Sequence, residues 1–321
     1  MRLFIRTEAS SAIGMGHFMR CFAIAEEARA QDMPVTFLLN ALDDARGRLE
    51  AIGAGGVVLP PLASGEDLLA MSRLGLSRRD WLVVDSYAAD EAYIAALSLM
   101  TRVCVIDDLN LLSAYDCDLL VNAAGAAPHM GYRSKTRAKC LLGAEYALIR
   151  REFREAGPRG GGTVTLMFGG SDPQNFSAQA ARLLLAQGLR VRILAGPANR
   201  HIAALRALAN DRLEVAVSPP FVAGTLADSA LIVTAAGGSV GEVAAMGLPA
   251  LVLVVYDNQA AALAACPYPV LDARGGLPDD LGARIKTLLA DPAGLRANAG
   301  RAHAKVDGWG PKRLIEALIN G

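Results

Sequence analysis

The chain has 321 residues, which is enough for two domains of about 150 residues each. Apolar residues make up 53% of the chain and charged residues 20%, a balance that excludes a disordered chain, a collagen-like chain and a small disulfide scaffold. The 32 Lys and Arg residues are matched by 32 Asp and Glu residues, so the chain lacks the basic excess of a generic nucleic-acid-binding protein. We therefore expect no nucleic-acid partner.

Cysteine usage and hydropathy indicate the compartment. The five cysteines are scattered and form no C-x-x-C pair, which argues against a zinc site or a dithiol redox site. The N-terminal segment lacks a hydrophobic targeting sequence, and no run of about 18 uncharged apolar residues occurs. We therefore expect a cytoplasmic protein with reduced thiols that does not bind a membrane. The cysteines are Cys21, Cys104, Cys117, Cys140 and Cys266.

The first half of the chain reads as alternating strands and helices. Residues 2–6 predict a strand, residues 7–16 a loop with glycines, and residues 18–30 a helix with apolar positions at helical spacing. Continuous apolar runs follow, and several end in a polar residue, which is typical of parallel strands buried on both faces. These strands are predicted over residues 34–39, 57–59, 81–85, 102–107 and 118–122.

A break rich in Gly and Pro over residues 157–162 precedes a second series of strands and helices, including a helix over residues 174–186. We therefore predict two α/β domains, residues 1–152 and 153–321. In such sheets ligands bind at the carboxyl ends of the strands. The strands of the second series are predicted over residues 163–168, 191–195, 214–217, 230–234 and 250–255.

His17 stands at the start of the first predicted helix, after Gly14 and Gly16. Glycines there let backbone amides approach a ligand, but Met19 takes the third glycine position of a dinucleotide-binding fingerprint. The positive end of the helix dipole disfavours imidazolium, so we expect a neutral His17 that can accept a proton as a general base. The alternative is a histidine that only satisfies nearby backbone groups.

A glycine loop follows the first strand of the second half, at Gly169-Gly170-Ser171-Asp172-Pro173. Its glycines and amides suit a diphosphate. A tight turn, with Asp172 as the helix N-cap and Pro173 as the first helical residue, explains the same residues equally well.

A second glycine loop contains Gly237, Gly238, Ser239 and Glu242. Ser239 and Glu242 have the spacing of a capping box, which by itself is a complete structural explanation. The same loop would also present amides to phosphate, and a carboxylate one turn into the helix could accept hydrogen bonds from ribose hydroxyls.

Polar residues follow other predicted strands. Tyr256, Asp257, Asn258 and Gln259 come directly after the strand over residues 250–255. The polar side chains of Asp257, Asn258 and Gln259 at a strand's carboxyl end suit the orientation of a polar substrate. The alternative is a solvated turn with Asp257 capping the next helix. The same kind of position is taken in the first half by Asp85-Ser86-Tyr87 and Asp107-Asp108.

Motifs along nearly the whole chain point to one family. They are Arg6 with Ile13-Gly14-Met15-Gly16-His17 and Arg20-Cys21, Asp85-Ser86-Tyr87, Asp107-Asp108, residues 142–153, Phe168 to Pro173, Asp257-Asn258-Gln259, and Val306-Asp307-Gly308 with Arg313. In this order they resemble the pseudaminic-acid pathway hydrolases, which act on UDP-2,4-diacetamido-2,4,6-trideoxy-β-L-altropyranose. Glu8 stands where that family has an aspartate. Residues 236–249 resemble GT-B nucleotide-sugar glycosyltransferases more broadly, including the enzyme that makes lipid II.

The resemblance implies a GT-B fold of two Rossmann-like domains whose parallel sheets face each other across a cleft. It implies hydrolysis that breaks the anomeric C–O bond with inversion, with His17 as the general base and Tyr87 and Asn258 orienting the sugar or its water. It implies neither a cofactor nor a metal. The residues expected to bind the UDP-sugar are Gly14, Gly16, Arg20, Gly170, Ser171, Asp172, Gly237, Gly238, Ser239, Glu242, Asp257 and Gln259.

The expected partner is thus a UDP-sugar substrate, and the sequence leaves the oligomeric state open, compatible with a monomer. Two other functions fit the same motifs. One is a GT-B glycosyltransferase with a UDP-amino-sugar donor, and the other is a nucleotide-sugar-binding protein without catalysis. A nicotinamide oxidoreductase fits less well, because the dinucleotide fingerprint is incomplete.

Overall fold

The computed structural model describes residues 1–8, 15–43, 45–260 and 262–321. The chain divides into two compact units, each an α/β layer structure. The first comprises Met1–Arg151 together with Trp309–Gly321, and the second comprises Glu152–Gly308. The predicted α/β class with two parallel sheets is confirmed. Within the described ranges, no helix combines the length and the apolar character needed to cross a bilayer.

The sheet of the first unit has seven parallel strands in the order β3-β2-β1-β4-β5-β6-β7. β1 lies between β2 and β4, so the strand order reverses direction at the β1–β4 pair. In open α/β sheets such a reversal opens a crevice at the carboxyl ends of the strands. The strands are β1 (Leu3–Thr7), β2 (Val35–Leu39), β3 (Gly55–Val58), β4 (Trp81–Asp85), β5 (Arg102–Ile106), β6 (Leu119–Asn122) and β7 (Lys139–Leu142).

Both faces of this sheet are buried, which explains the continuous apolar runs of its strands. Side chains alternate between two cores: Leu3 and Ile5 of β1 enter one, and Phe4 between them enters the other. The helices of this part of the chain are α1 (Gly16–Arg29), α2 (Arg46–Ala51), α3 (Gly65–Ser72) and α4 (Glu91–Ser98), with short 3-10 helices at Ala127–His129, Tyr132–Ser134 and Ala144–Tyr146.

The sheet of the second unit has six parallel strands in the order β10-β9-β8-β11-β12-β13, and its order reverses at the β8–β11 pair. The strands are β8 (Thr163–Met167), β9 (Arg190–Ala195), β10 (Leu213–Val217), β11 (Ser229–Ala235), β12 (Ala250–Val254) and β13 (Val270–Asp272). The helices are α5 (Arg151–Glu155), which spans the boundary between the units, α6 (Phe176–Ala186), α7 (Ile202–Ala207), α8 (Val222–Leu226), α9 (Ser239–Ala245), α10 (Ala262–Ala265), α11 (Leu281–Leu289) and α12 (Pro292–Lys305), with a 3-10 helix at Asp257–Gln259.

The C-terminal helix α13 (Gly310–Asn320) belongs to the first unit, whereas the sequence expectation placed it with residues 153–321. The reason is its apolar face: Leu314, Ile315 and Leu318 are fully buried in the first unit's core, where α13 packs against α1. The indole Nε1 of Trp81 in β4 also donates a 2.8 Å hydrogen bond to the carbonyl oxygen of Leu318. The first unit is therefore built from both ends of the chain.

The packing of α13 predicts a specific loss of stability. Leu314→Ala removes a fully buried side chain, so we expect it to lower the free energy of unfolding of the first unit by about 2–5 kcal/mol. Both tryptophans, Trp81 and Trp309, lie in this unit, so tryptophan fluorescence during urea unfolding reports on it selectively. Ile319→Ala on the same helix is the control, because Ile319 is 49% exposed. Equal effects of the two substitutions would contradict the packing.

Candidate active site

The reversal of strand order in the first sheet brings a group of polar side chains together. Thr7 at the end of β1 pairs with Asp85 at the end of β4, and the Thr7 hydroxyl donates a 3.0 Å hydrogen bond to the Asp85 carbonyl oxygen. Helix α1 begins at Gly16 and places His17 and Arg20 one turn apart on the same face, both toward the Asp85 side chain. The order of the strands and the spacing of residues along α1 therefore act together to bring these side chains into one site.

His17 is held by a buried carboxylate. Its Nδ1 lies 2.7 Å from Oδ1 of Asp85, whose side chain is fully buried while that of His17 is 16% exposed. Burial alone would raise the pKa of Asp85, but hydrogen bonds from Arg20 and His17 outweigh it and hold this pKa below its ordinary value. Nη2 of Arg20 also lies 3.2 Å from this Nδ1. The shorter contact is with a carboxylate that only accepts hydrogen bonds, which places the proton on Nδ1 and leaves a lone pair on Nε2 of the neutral ring.

Arg20 joins two carboxylates. Its Nε and Nη2 donate to the two oxygens of Asp85 at 2.6 Å and 2.5 Å, in the bidentate fork that arginine forms with carboxylates. Its Nη1 lies 2.9 Å from both oxygens of Asp108. Burial would lower the pKa of Arg20, but the two carboxylates raise it overall, so the guanidinium stays charged.

Tyr87 packs against the imidazole of His17. Its ring meets that of His17 edge-on, with the centroids 4.7 Å apart and the planes at 85°. Its hydroxyl donates a 2.9 Å hydrogen bond to Oδ2 of Asp108. Partial burial and the negative charge of Asp108 raise the pKa of Tyr87 to about 12, so the phenol remains a donor at neutral pH.

Asp85 and Asp108 were not among the site residues expected from the sequence, although both belong to motifs found at strand ends. Asp107, the neighbour of Asp108, has a structural role instead. Asp107 accepts hydrogen bonds from the hydroxyls of Tyr115 at 2.9 Å and Tyr132 at 2.5 Å, and so orders the loop that carries Asp108. The sequence feature that could have identified these site residues is a carboxylate at the carboxyl end of a buried strand, next to the point where the strand order reverses.

Glu8, which takes the place of the family's aspartate, accepts a 2.8 Å hydrogen bond from the hydroxyl of Ser86. The carboxylate that contacts His17 is instead Asp85. Gly16 is the first residue of α1, and a side chain at its position would meet no heavy atom within 4 Å among the described residues. Gly14 lies outside the described residues.

The two glycine loops of the second unit lie at the corresponding reversal of its sheet. Met167 at the end of β8 pairs with Thr234 near the end of β11, and each strand continues directly into its loop. Gly170, Ser171, Gly237 and Gly238 are all exposed there. A Cβ on Gly196, which follows β9, would lie 2.5 Å from the backbone of Gly170. The loop of residues 169–173 therefore packs closely against the carboxyl end of β9.

Asp172 caps helix α6 from upstream. Its carboxylate accepts hydrogen bonds from the amides of Phe176 at 2.8 Å and Ser177 at 2.9 Å, and the residue is 2% exposed. The predicted role as a capping residue is therefore correct in kind. The predicted position is wrong, because α6 begins at Phe176 rather than at Pro173. The chain makes an extra turn between the strand and the helix, with Asp172 itself at a positive φ of 39°.

The predicted capping box at Ser239 and Glu242 is wrong. Gly238 takes the N-cap position with helical dihedral angles, and Ser239 is already the first residue of α9. In a capping box the serine must precede the helix so that its oxygen reaches the amide three residues on. Because the two glycines bring the chain into the helix one residue early, Ser239 and Glu242 lie together in its first turn.

The segment after β12 begins with a 3-10 helix at Asp257–Gln259. The Asp257 carboxylate accepts a 3.0 Å hydrogen bond from Nη1 of Arg274 and is otherwise open to solvent, with its side chain 94% exposed. The side-chain oxygen of Gln259 accepts a 3.0 Å hydrogen bond from the amide of Val255, which fixes the turn. The side chain of Asn258 lies outside the described part of the chain. Among the described residues, no three His, Cys, Asp or Glu side chains are grouped so that they could hold a metal ion.

Solved structures share the fold of this chain. Acinetobacter baumannii MurG matches over the whole of both chains, with 15% identity and a TM-score of 0.66. Anabaena HepE, solved in complex with UDP-glucose, does so with 13% identity and a TM-score of 0.64. The spinosyn rhamnosyltransferase SpnG, solved with thymidine diphosphate, covers 99% of this chain and all of its own, with 17% identity and a TM-score of 0.63. At these identities the likeness shows the fold alone, and it confirms the predicted GT-B fold.

Two curated proteins are similar in sequence, whereas no family model matches the chain. An uncharacterised protein of Methanocaldococcus jannaschii is 23% identical over 279 residues, which are 81% of this chain and 56% of that protein. The UDP-2,4-diacetamido-2,4,6-trideoxy-beta-L-altropyranose hydrolase of Campylobacter jejuni is 27% identical over 188 residues, which are 56% of this chain and 65% of that protein. The matches thus span less than two thirds of either relative's length.

The contact between His17 and Asp85 predicts which ring nitrogen carries the proton. We expect neutral His17 to be the Nδ1–H tautomer, because Asp85 can only accept a hydrogen bond there. Nitrogen-15 NMR of the imidazole, assigned by comparison with His17→Ala, distinguishes the two tautomers. A neutral His17 protonated at Nε2 would contradict this geometry.

Proposed function

We propose that this protein hydrolyses a UDP-sugar and that His17 is the general base. The observation that carries the proposal is the buried Asp85 carboxylate, which fixes the proton on Nδ1 and leaves Nε2 of His17 able to accept another. Histidine oriented by a carboxylate at its second nitrogen is the usual arrangement for taking a proton from a nucleophile. The GT-B fold and the solved neighbours that hold UDP-glucose or thymidine diphosphate support a nucleotide-sugar as the substrate class.

In the proposed reaction, Nε2 of His17 takes a proton from a water molecule while the water oxygen bonds to the anomeric carbon. The anomeric C–O bond breaks, and its electron pair leaves with the β-phosphate of UDP. Attack from the face opposite the diphosphate inverts the anomeric configuration. Asp85 stabilises the imidazolium that forms, and the ring later returns its extra proton to solvent.

Arg20 is assigned a different task from the nucleotide contact expected from the sequence. All three of its guanidinium nitrogens donate to Asp85 or Asp108. We propose that it holds these carboxylates in place around His17. Tyr87, whose ring packs on the imidazole, is proposed to border the space in which the water and the sugar bind.

The second unit is proposed to bind UDP through its two glycine loops. Gly170, Ser171, Gly237 and Gly238 follow the central strand pair, where the amides of such loops suit phosphate oxygens. Ser239 and Glu242, together in the first turn of α9, are proposed to contact the nucleotide. Asp257, Asn258 and Gln259 are proposed to contribute on the adjacent strand end, with Asn258 orienting the sugar or its water.

The Campylobacter jejuni relative supplies the most specific candidate substrate, UDP-2,4-diacetamido-2,4,6-trideoxy-β-L-altropyranose. We propose it as the substrate, and pseudaminic acid biosynthesis as the process that uses the free sugar. The second candidate function is glycosyl transfer, which the likeness to the rhamnosyltransferase SpnG favours. The two differ in what attacks the anomeric carbon: water in hydrolysis, and an acceptor hydroxyl in transfer.

The proposal predicts the behaviour of one histidine substitution. With this UDP-sugar as substrate, His17→Ala should lower kcat for UDP release by about 10²–10⁴-fold, the usual contribution of a general base. UDP release is followed by chromatography, with His129→Ala as the matched control, since His129 is exposed in the same unit.

Other outcomes identify the alternatives. Normal turnover in His17→Ala would exclude the proposed base. UDP release that requires an added acceptor would identify a glycosyltransferase. Tight UDP binding without turnover of any UDP-deoxyamino sugar would identify a nucleotide-sugar-binding protein.

A further inference from the structure

Five side chains of the first unit form a closed ring of contacts. Hydrogen bonds join His17 to Asp85, Asp85 to Arg20, Arg20 to Asp108, and Asp108 to the Tyr87 hydroxyl. The Tyr87 ring contacts the ring of His17 and closes the set. Asp108 is joined to the imidazole through Tyr87 on one side and through Arg20 and Asp85 on the other. We infer that Asp108 is a positioning residue that orients the His17 ring through Tyr87 and, through Arg20, balances the charge of the cluster around it; the inference rests on the proposed role of His17 as a base.

Orientation is the first part of the inference. The hydrogen bond that His17 donates to Asp85 fixes the ring at one atom, Nδ1, which leaves the ring able to tilt about that point. The edge-on contact with Tyr87 is a second restraint on the ring. Tyr87 is itself 65% exposed, so packing alone does not hold it, and its hydroxyl is held by Asp108. The direction of the Nε2 lone pair therefore depends on Asp108.

Asp108 also contributes to the net charge of the cluster around His17. Two carboxylates, Asp85 and Asp108, face one guanidinium, Arg20, so the cluster carries one net negative charge while His17 is neutral. When Nε2 takes a proton, the imidazolium brings the cluster to zero. The negative charge that Asp108 adds to the cluster therefore offsets the positive charge that develops on His17 as water is deprotonated.

The other groups around this ring do not replace that charge. The thiol of Cys21 lies 3.4 Å from Oδ2 of Asp85 and stays neutral, because burial raises the pKa of this thiol well above its ordinary value. Glu8 contacts Ser86, the residue after Asp85, rather than the imidazole. Asp107 bonds to the hydroxyls of Tyr115 and Tyr132 instead. Asp108 is thus the second carboxylate of the cluster.

The test is Asp108→Asn, which keeps the size of the side chain and removes its charge. The nuclear Overhauser contact between the rings of His17 and Tyr87 should weaken, because the Tyr87 hydroxyl loses its charged acceptor. With the UDP-sugar, kcat should fall about tenfold with little change in KM, because the base is misaligned but the sugar-nucleotide contacts are kept. Asp116→Asn is the matched control, because Asp116 is an exposed carboxylate of the same unit that contacts Ser98.

A kcat and a ring contact that are unchanged in Asp108→Asn, or that change equally in Asp116→Asn, would overturn the inference. Tyr87→Phe keeps the ring but removes its bond to Asp108, and should weaken the nuclear Overhauser contact between the two rings; an unaltered contact would overturn the orientation part. Tryptophan fluorescence during urea unfolding checks that each variant is folded. The NMR measurements need no turnover, so a wild-type protein that releases no UDP would refute the proposed function and leave this test intact.

Discussion

The ionised side chain of Asp85 is the constraint around which the first unit's site is organised. A fully buried carboxylate costs several kcal/mol unless hydrogen-bond donors surround it. Here the donors come from one helix: the fork of Arg20 and the Nδ1–H of His17, one turn apart on α1. Stabilising the buried charge thus fixes the register of α1 on the sheet, the tautomer of His17 and the direction in which its free lone pair points.

The same rule of sheet topology positions the candidate residues of both units. In each sheet the strand order reverses at a central pair, β1–β4 or β8–β11, and the loops that follow these strands diverge to opposite sides. In the first unit the crevice contains titratable side chains, whereas in the second it is bordered by glycine loops. The two units therefore share an architecture but differ in the groups near the reversal of strand order: an acid–base cluster in the first unit and backbone amides in the second.

Much of the fold could be predicted from the sequence, because strands buried on both faces read as unbroken apolar runs; β4 was predicted residue for residue. The strands that were missed, β7 and β13, are short edge strands that are only partly buried, so they lack that signal. The apolar face of α13 predicts burial but not which sheet it covers. At the site, His17 was predicted from its place at a helix start. Asp85 and Asp108 were not, because only the topology brings Asp85 to His17, 68 positions away, and Asp108 to Arg20, 88 positions away.

The central claim is that water, activated by His17, attacks the anomeric carbon of a UDP-sugar. Turnover of UDP-2,4-diacetamido-2,4,6-trideoxy-β-L-altropyranose in water enriched in oxygen-18, followed by mass spectrometry of both products, tests it directly. The account predicts that the label appears in the free sugar and not in UDP, because the bond that breaks joins the anomeric carbon to oxygen. Label in the UDP phosphate, which would mean cleavage of the phosphorus–oxygen bond, or no labelled product unless an acceptor is added, would contradict it.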